Sequence, residues 1–158
     1  MAEGSFEKVR RKLVAARIEF LARLADFDDN ELQQLAPGEQ WTPLQLALHI
    51  AIAEKLALEQ FQRVQNEDNP LIMNIGIEAP RLTELAQTTS LQAVLAMMES
   101  QRTTLFAFLS QLPPEAWERP LRHEEWGQLK FYQAVNVLPI HERQHVQQLE
   151  TIKARLNQ

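Results

Sequence analysis

One stretch limits the architecture of this chain more than any other. From Leu44 to Leu58 it reads LQLALHIAIAEKLAL, which is apolar on nearly every side of a helix. A helix of that kind is buried among other elements rather than laid on a surface. Its start is sharply marked. Thr42 is a good N-cap, Pro43 suits the first helical position, and Gln45 completes capping-box spacing. The pattern predicts a helix that ends near Gln65.

Three further amphipathic segments can surround it. Leu, Ala, Gln and Glu dominate, β-branched residues are sparse, and there are four glycines and one tyrosine, all of which favours helix. The first segment runs from Ser5, a candidate N-cap, to about Phe27, with an apolar stripe of Phe6, Val9, Leu13, Ala16, Phe20 and Leu24. Asp28 to Glu31 can cap a short extra turn through Leu35, and Pro37-Gly38 ends it. The third long segment spans about Ser90 to Leu112 and stops at Pro113-Pro114. The fourth spans about Gln128 to Leu156, with a seam of Phe131, Val135, Leu138, His145, Leu149, Ile152 and Leu156. Pro139 falls inside it and is expected to kink it just before His141.

Connection lengths set the expected topology. A short link makes the first two helices antiparallel. The stretch from about Asn66 to Thr89 holds Pro70, Gly76 and Pro80. At roughly 3.3 Å per residue it can return along a whole helix, so the second and third helices can run parallel. The link from Pro113 to Gly127, with Trp117 and Trp126, can fold over one end. The expected fold is all-α: an up-down-down-up four-helix bundle with a long crossover between helices 2 and 3. At 158 residues, 1–158 is read as one domain.

A net charge of -5 argues against a nucleic-acid groove. The basic run Lys8 to Lys12 reads as a solvated helix face. No stretch is long and apolar enough to span a membrane, no signal-peptide pattern is present, and a cytoplasmic location is expected. Cysteine is absent, so any metal must be held by His and carboxylate.

There are four histidines. His141 and His145 are spaced by four, which puts both imidazoles on one helix face about a turn apart. His49 lies in the apolar helix among Leu46, Ile52, Ala53 and Leu56. Alone it would read as a satisfied core histidine. Three inward histidines in an aliphatic bundle need a common partner, and a metal ion is the economical one. Three nitrogens would leave a position open for a substrate or an activated water. His123, in the charged run Arg122 to Glu125, reads as a solvated surface residue outside the site. Arg102 and Glu142 interrupt apolar stripes. Either they pair in the interior, or the kink at Pro139 turns Glu142 outward. Glu54 and Glu59 read as surface charges, although either could approach a metal.

Taken together, Trp-Thr-Pro at 41–43, His49, Glu-Trp-Gly at 125–127 and His-x-x-x-His at 141–145 with Gln148-Leu149 after it resemble the DinB-like superfamily, which includes YfiT-like proteins. Pro139, so close to the histidine pair, departs from that pattern. The resemblance covers nearly the whole chain. It implies a four-helix bundle whose His triad, here His49, His141 and His145, binds a divalent metal. Zinc or nickel is favoured and iron is possible. It also implies a small-molecule substrate, a homodimer, and a metal-dependent enzyme, with a low-molecular-weight-thiol S-transferase first and a hydrolase next. Glu142, or a carboxylate of the second helix, would then serve as base or outer-shell group. The alternative is a non-catalytic metal-binding bundle acting as a stress-linked binding protein.

Overall fold

The computed structural model describes residues 4–74 and 79–157. Its elements are α1 (Ser5–Leu24), α2 (Pro43–Asn66), β1 (Leu71–Ile72), α3 (Ala79–Gln87), α4 (Leu91–Ser110), β2 (Pro120–His123), β3 (Gly127–Lys130), α5 (Phe131–Val135) and α6 (Val137–Leu156). Gly76 of the expected crossover lies outside the described residues. No helix is long and apolar enough to cross a membrane among the described residues.

The capping box at the head of α2 forms as its sequence requires. Thr42 Oγ1 accepts from Gln45 N at 3.1 Å, and Gln45 Oε1 accepts from Thr42 N at 2.8 Å. Every residue from Leu46 to Ala51 is then buried, on all sides of the helix. Two apolar clusters fill the interior. One joins Phe20 and Leu24 of α1, Leu46 and Ile50 of α2, Val94 and Met98 of α4, and Leu149 and Ile152 of α6. The other joins Val9 and Leu13, Phe61 and Val64, Leu105 and Leu109, with Phe131 and Val135 of α5. The first cluster therefore takes the C-terminal halves of α1 and α6 and the N-terminal halves of α2 and α4. That is the up-down-down-up order. A ladder between the parallel pair α1 and α6 agrees with it: Lys12 Nζ to Asn136 Oδ1 at 3.3 Å, Arg17 Nε to Glu142 Oε1 at 2.9 Å, and Arg23 Nε to Glu150 Oε1 at 3.0 Å.

Besides α3, a helix within the stretch expected as an irregular connection, two segments depart from the sequence reading. The expected helix from Gln128 is a strand up to Lys130, and helix begins only at Phe131. A break at Asn136 then separates α5 from α6. Asn136 Nδ2 donates to Tyr132 O at 2.7 Å and satisfies a carbonyl at the end of α5. Pro139 is the third residue of α6, in the first turn, where backbone N–H groups have no intrahelical acceptor. It removes no hydrogen bond, and the bend falls upstream of it.

The second departure is a small sheet in the order β1-β2-β3. β1 pairs parallel with β2, Leu71 opposite Arg122 and Ile72 opposite His123. β2 and β3 form a hairpin in which His123 faces Gly127. Gly127 has φ +74°, a backbone region that suits glycine. These strands are too short to show the period-2 alternation that marks longer ones. The hairpin closes the end of the bundle that holds Trp117, which is buried in the second cluster.

Candidate metal centre

Two helices and the residue before a cap build the centre. His49 projects from the second turn of α2. His141 and His145 project from successive turns of α6. Their ligand nitrogens all lie within 4.8 Å of one another. His141 Nε2 is 3.3 Å from His49 Nε2 and 3.0 Å from His145 Nε2. The deepest line of α6 is Glu142, Val146, Leu149 and Ile152. His145 was expected on that seam. It is instead half-buried along its edge with His141, which faces both toward α2.

The surroundings hold these rings neutral and aimed. Gln148 donates its amide N–H to Glu39 Oε1 at 3.4 Å, so its oxygen is the atom left for His145 Nδ1 at 2.9 Å. The proton of neutral His145 then sits on Nδ1, and the Nε2 lone pair points at the other two rings. Trp41 packs over His49, with ring centroids 4.6 Å apart. His49 Nδ1 is buried without a hydrogen-bond partner among the described residues. Burial lowers the His49 pKa to about 3, with His145 and His141 adding to the effect. Burial, then His145, lowers that of His141 to about 4. Burial lowers His145 too, opposed by its bond to Gln148 and by Glu142. Three neutral, converging nitrogens with no proton to share among all of them fit a divalent cation.

Behind the centre lies a buried charge quartet. Arg102 Nη2 donates to Glu54 Oε1 at 2.9 Å and to Glu142 Oε1 at 3.3 Å. Arg17 Nε reaches the same Glu142 oxygen at 2.9 Å, and Arg17 Nη2 is 3.6 Å from Glu54 Oε1. Arg102 Nη1 also donates to Leu13 O at 3.1 Å. Burial disfavours the Arg102 charge, but Glu54 and then Glu142 outweigh it and hold its pKa above the ordinary value. Of the two arrangements open for Arg102 and Glu142, the structure has the interior pairing. Glu54 corrects the surface reading. It is 5% exposed, because a carboxylate in a helix buried on all sides needs an internal cation. Glu59 remains exposed. Arg17, which the sequence reading passed over, lies one residue from the Ala16 line of α1. The one signal for it was a lone Glu in an apolar helix that had to find a partner.

His123 is the second correction. It is 9% exposed, not solvated. Its ring stacks on Trp126 at 4.1 Å and 14°, and Nδ1 accepts from the backbone N–H groups of Glu125 and Trp126 at 3.1 and 3.3 Å. The strand turns the ring inward, which a charged flanking sequence could not reveal. It lines a cavity of about 180 Å³ between the hairpin, α2 and α6, whose wall also includes His141.

The profile of the DinB superfamily matches residues 12–149. A protein of Bacillus mycoides with the provisional name metal-dependent hydrolase is 26% identical over 139 residues, covering 87% of this chain and 79% of its own. A Bacillus cereus protein of the same provisional name is 25% identical over 140 residues, covering 88% and 80%. Among solved structures, YfiT from Bacillus subtilis is described as a probable metal-dependent hydrolase with an unusual four-helix bundle topology. It superposes with a TM-score of 0.78 at 18% identity, over 96% of this chain and 87% of that one. A mycothiol-dependent maleylpyruvate isomerase superposes with a TM-score of 0.69 at 15% identity, over 94% of this chain and 63% of that one.

Proposed function

This chain belongs to the DinB superfamily, and from that premise we propose that it is a metal-dependent hydrolase of small molecules whose cation is held by His49, His141 and His145. The observation that carries the reading is the convergence of three imidazole nitrogens within 4.8 Å, with no carboxylate in the group among the described residues. Structural zinc sites are closed by four protein ligands, whereas three leave a position for reacting molecules. The provisional names of the Bacillus relatives point the same way.

A divalent transition metal held there, zinc or nickel before iron, supplies Lewis acidity and lowers the pKa of water toward neutrality. The chain's own groups do the rest. Gln148 fixes the His145 tautomer, and Trp41 shields His49 from water. His141 is the ligand that the cavity reaches, so a molecule entering there arrives beside the open position. Both oxygens of Glu142 already accept guanidinium N–H bonds. Its role is therefore to position α6 against α4 and α1 rather than to take a proton from substrate. Thiol transfer would use the same three donors. It ranks second here because the Bacillus relatives carry hydrolase names and no lining residue of the cavity among those described offers a charge to the polar groups of a hydrophilic thiol.

Elemental analysis of the purified protein tests the reading, together with assays on a panel of carboxylic esters and amides and on thiol-transfer pairs. The expected result is one zinc or nickel per chain and hydrolysis that falls with the metal. His49→Ala, His141→Ala and His145→Ala should lose both, while His123→Ala keeps the metal. Equal metal content in all four variants would overturn the assignment. Thiol transfer without hydrolysis would replace the reaction.

A further inference from the structure

We propose that the cavity beside His141 binds an uncharged molecule with an apolar body about the size of one aromatic ring and a single carbonyl-type acceptor, which His123 holds through its Nε2–H. The inference deepens the hydrolase reading by naming a substrate class. It rests on that reading only for what happens after binding.

The tautomer comes first. His123 Nδ1 accepts two backbone N–H groups of the hairpin turn, so the proton of the neutral ring is on Nε2, at the ring's opposite edge. Nε2 has no hydrogen bond among the described residues. The residue is only 9% exposed and lines the cavity, so a ligand there can offer that donor an acceptor.

The space beside it fixes the rest. The cavity is about 180 Å³. A dry apolar cavity of about 150 Å³ holds a benzene ring, so one ring with a small substituent fits. Ala57, Phe61, Ile72, Leu121 and Leu138 are among its walls. Gln60 also lines it and gives one of its two amide N–H groups to Met73 O at 2.9 Å. None of the described lining residues carries a formal charge, so with the metal removed an ionised ligand would lose its hydration without compensation. Trp126, stacked on His123, stands in the same wall. His141 and His123 stand in the walls of the same cavity, which places a held carbonyl within the space the metal centre opens onto.

Three probes of nearly one shape separate the elements of this inference: acetophenone, ethylbenzene and benzoate. Each is titrated into the full chain, as purified and after chelator dialysis, with NMR detection of the His123 side chain. Acetophenone should bind about 3–10-fold more tightly than ethylbenzene, the worth of one neutral hydrogen bond. After chelator dialysis, benzoate should bind at least about 10-fold more weakly than acetophenone. The His123 Nε2–H resonance should shift with acetophenone and not with ethylbenzene. His123→Phe, which keeps a ring against Trp126, should remove the preference for acetophenone and leave ethylbenzene binding unchanged. If that variant fails to fold, the resonance in the unmodified chain decides. Equal binding of acetophenone and ethylbenzene, or benzoate as tight as acetophenone in the metal-free protein, would overturn the proposal. A retained preference in folded His123→Phe would do the same. Because binding is read with and without metal, intact selectivity in a protein that hydrolyses nothing would instead remove the hydrolase reading and leave this one standing.

Discussion

Gln148 is the residue whose removal separates ligand orientation from ligand supply. It touches no metal position, yet it sets which nitrogen of His145 carries the proton. Losing such a partner typically lowers metal affinity about 10–100-fold. Gln148→Leu should therefore weaken zinc binding by that order in a competition titration, with all three imidazoles present; an unchanged affinity would mean that His145 needs no orienting bond. The same three rings give the metal-free protein a pH signature. The folded-state pKa values of His49 and His141, about 3 and about 4, lie below the ordinary 6.5. The unfolded chain therefore takes up protons first as pH falls. The stability these rings confer is complete above about 6.5 and is lost progressively toward 4 and 3. Urea midpoints of chelated protein should fall between pH 7 and pH 4.5, and His49→Leu should flatten that slope. A midpoint that does not move would show that the rings titrate normally in the folded chain.

Among the helices, Arg102 is the joint. It binds Glu54 on α2 and Glu142 on α6 from its place on α4, so it ties together the two helices that carry the histidines. Removing it alone leaves two buried carboxylates with one cation, a break that typically costs ~3–5 kcal/mol. Replacing Arg102 and Glu142 together with Met and Leu leaves Arg17 and Glu54, 3.6 Å apart, as a balanced pair. The double variant should lose clearly less than the sum of the single losses in a denaturant double-mutant cycle with metal saturation checked. Additive losses would show that the charges do not share one network. Much of this level was legible in the chain. The capping box at Thr42, the proline stop after α4, and three histidines on two facing helices follow from periodicity and side-chain chemistry. The strands were not, because two to four residues show no periodicity and the pairing of β1 with β2 spans some fifty residues of sequence. The depth of Glu54 and His123 was hidden for a related reason. A polar residue's burial is decided by what lies opposite it, and Arg102 is far from Glu54 in sequence, as α2 and α6, which wall the cavity, are from His123. Pro139 misled because its effect depends on where the helix starts, which the missed strand had moved.

For the whole molecule, the outer face of α1 matters most. Val14, Ile18 and Leu21 are 36%, 64% and 39% exposed along one side of that helix. An apolar stripe of this kind suits self-association, in line with the homodimer the family resemblance implies. Light scattering at micromolar concentration should report a dimer, and Ile18→Lys should shift it to the monomer without loss of metal. A monomeric mass for the unmodified chain would count against pairing. The inward face of α1 has a different consequence, which concerns its history on the ribosome. Its ladder of contacts runs to α6, so Arg17 and Arg23 meet Glu142 and Glu150 only after more than a hundred further residues are made. At about 5–20 residues per second, that interval is on the order of ten seconds. Throughout it the nascent first helix lacks its α6 neighbour, and the metal centre, whose second and third ligands also lie on α6, cannot form before that helix is made.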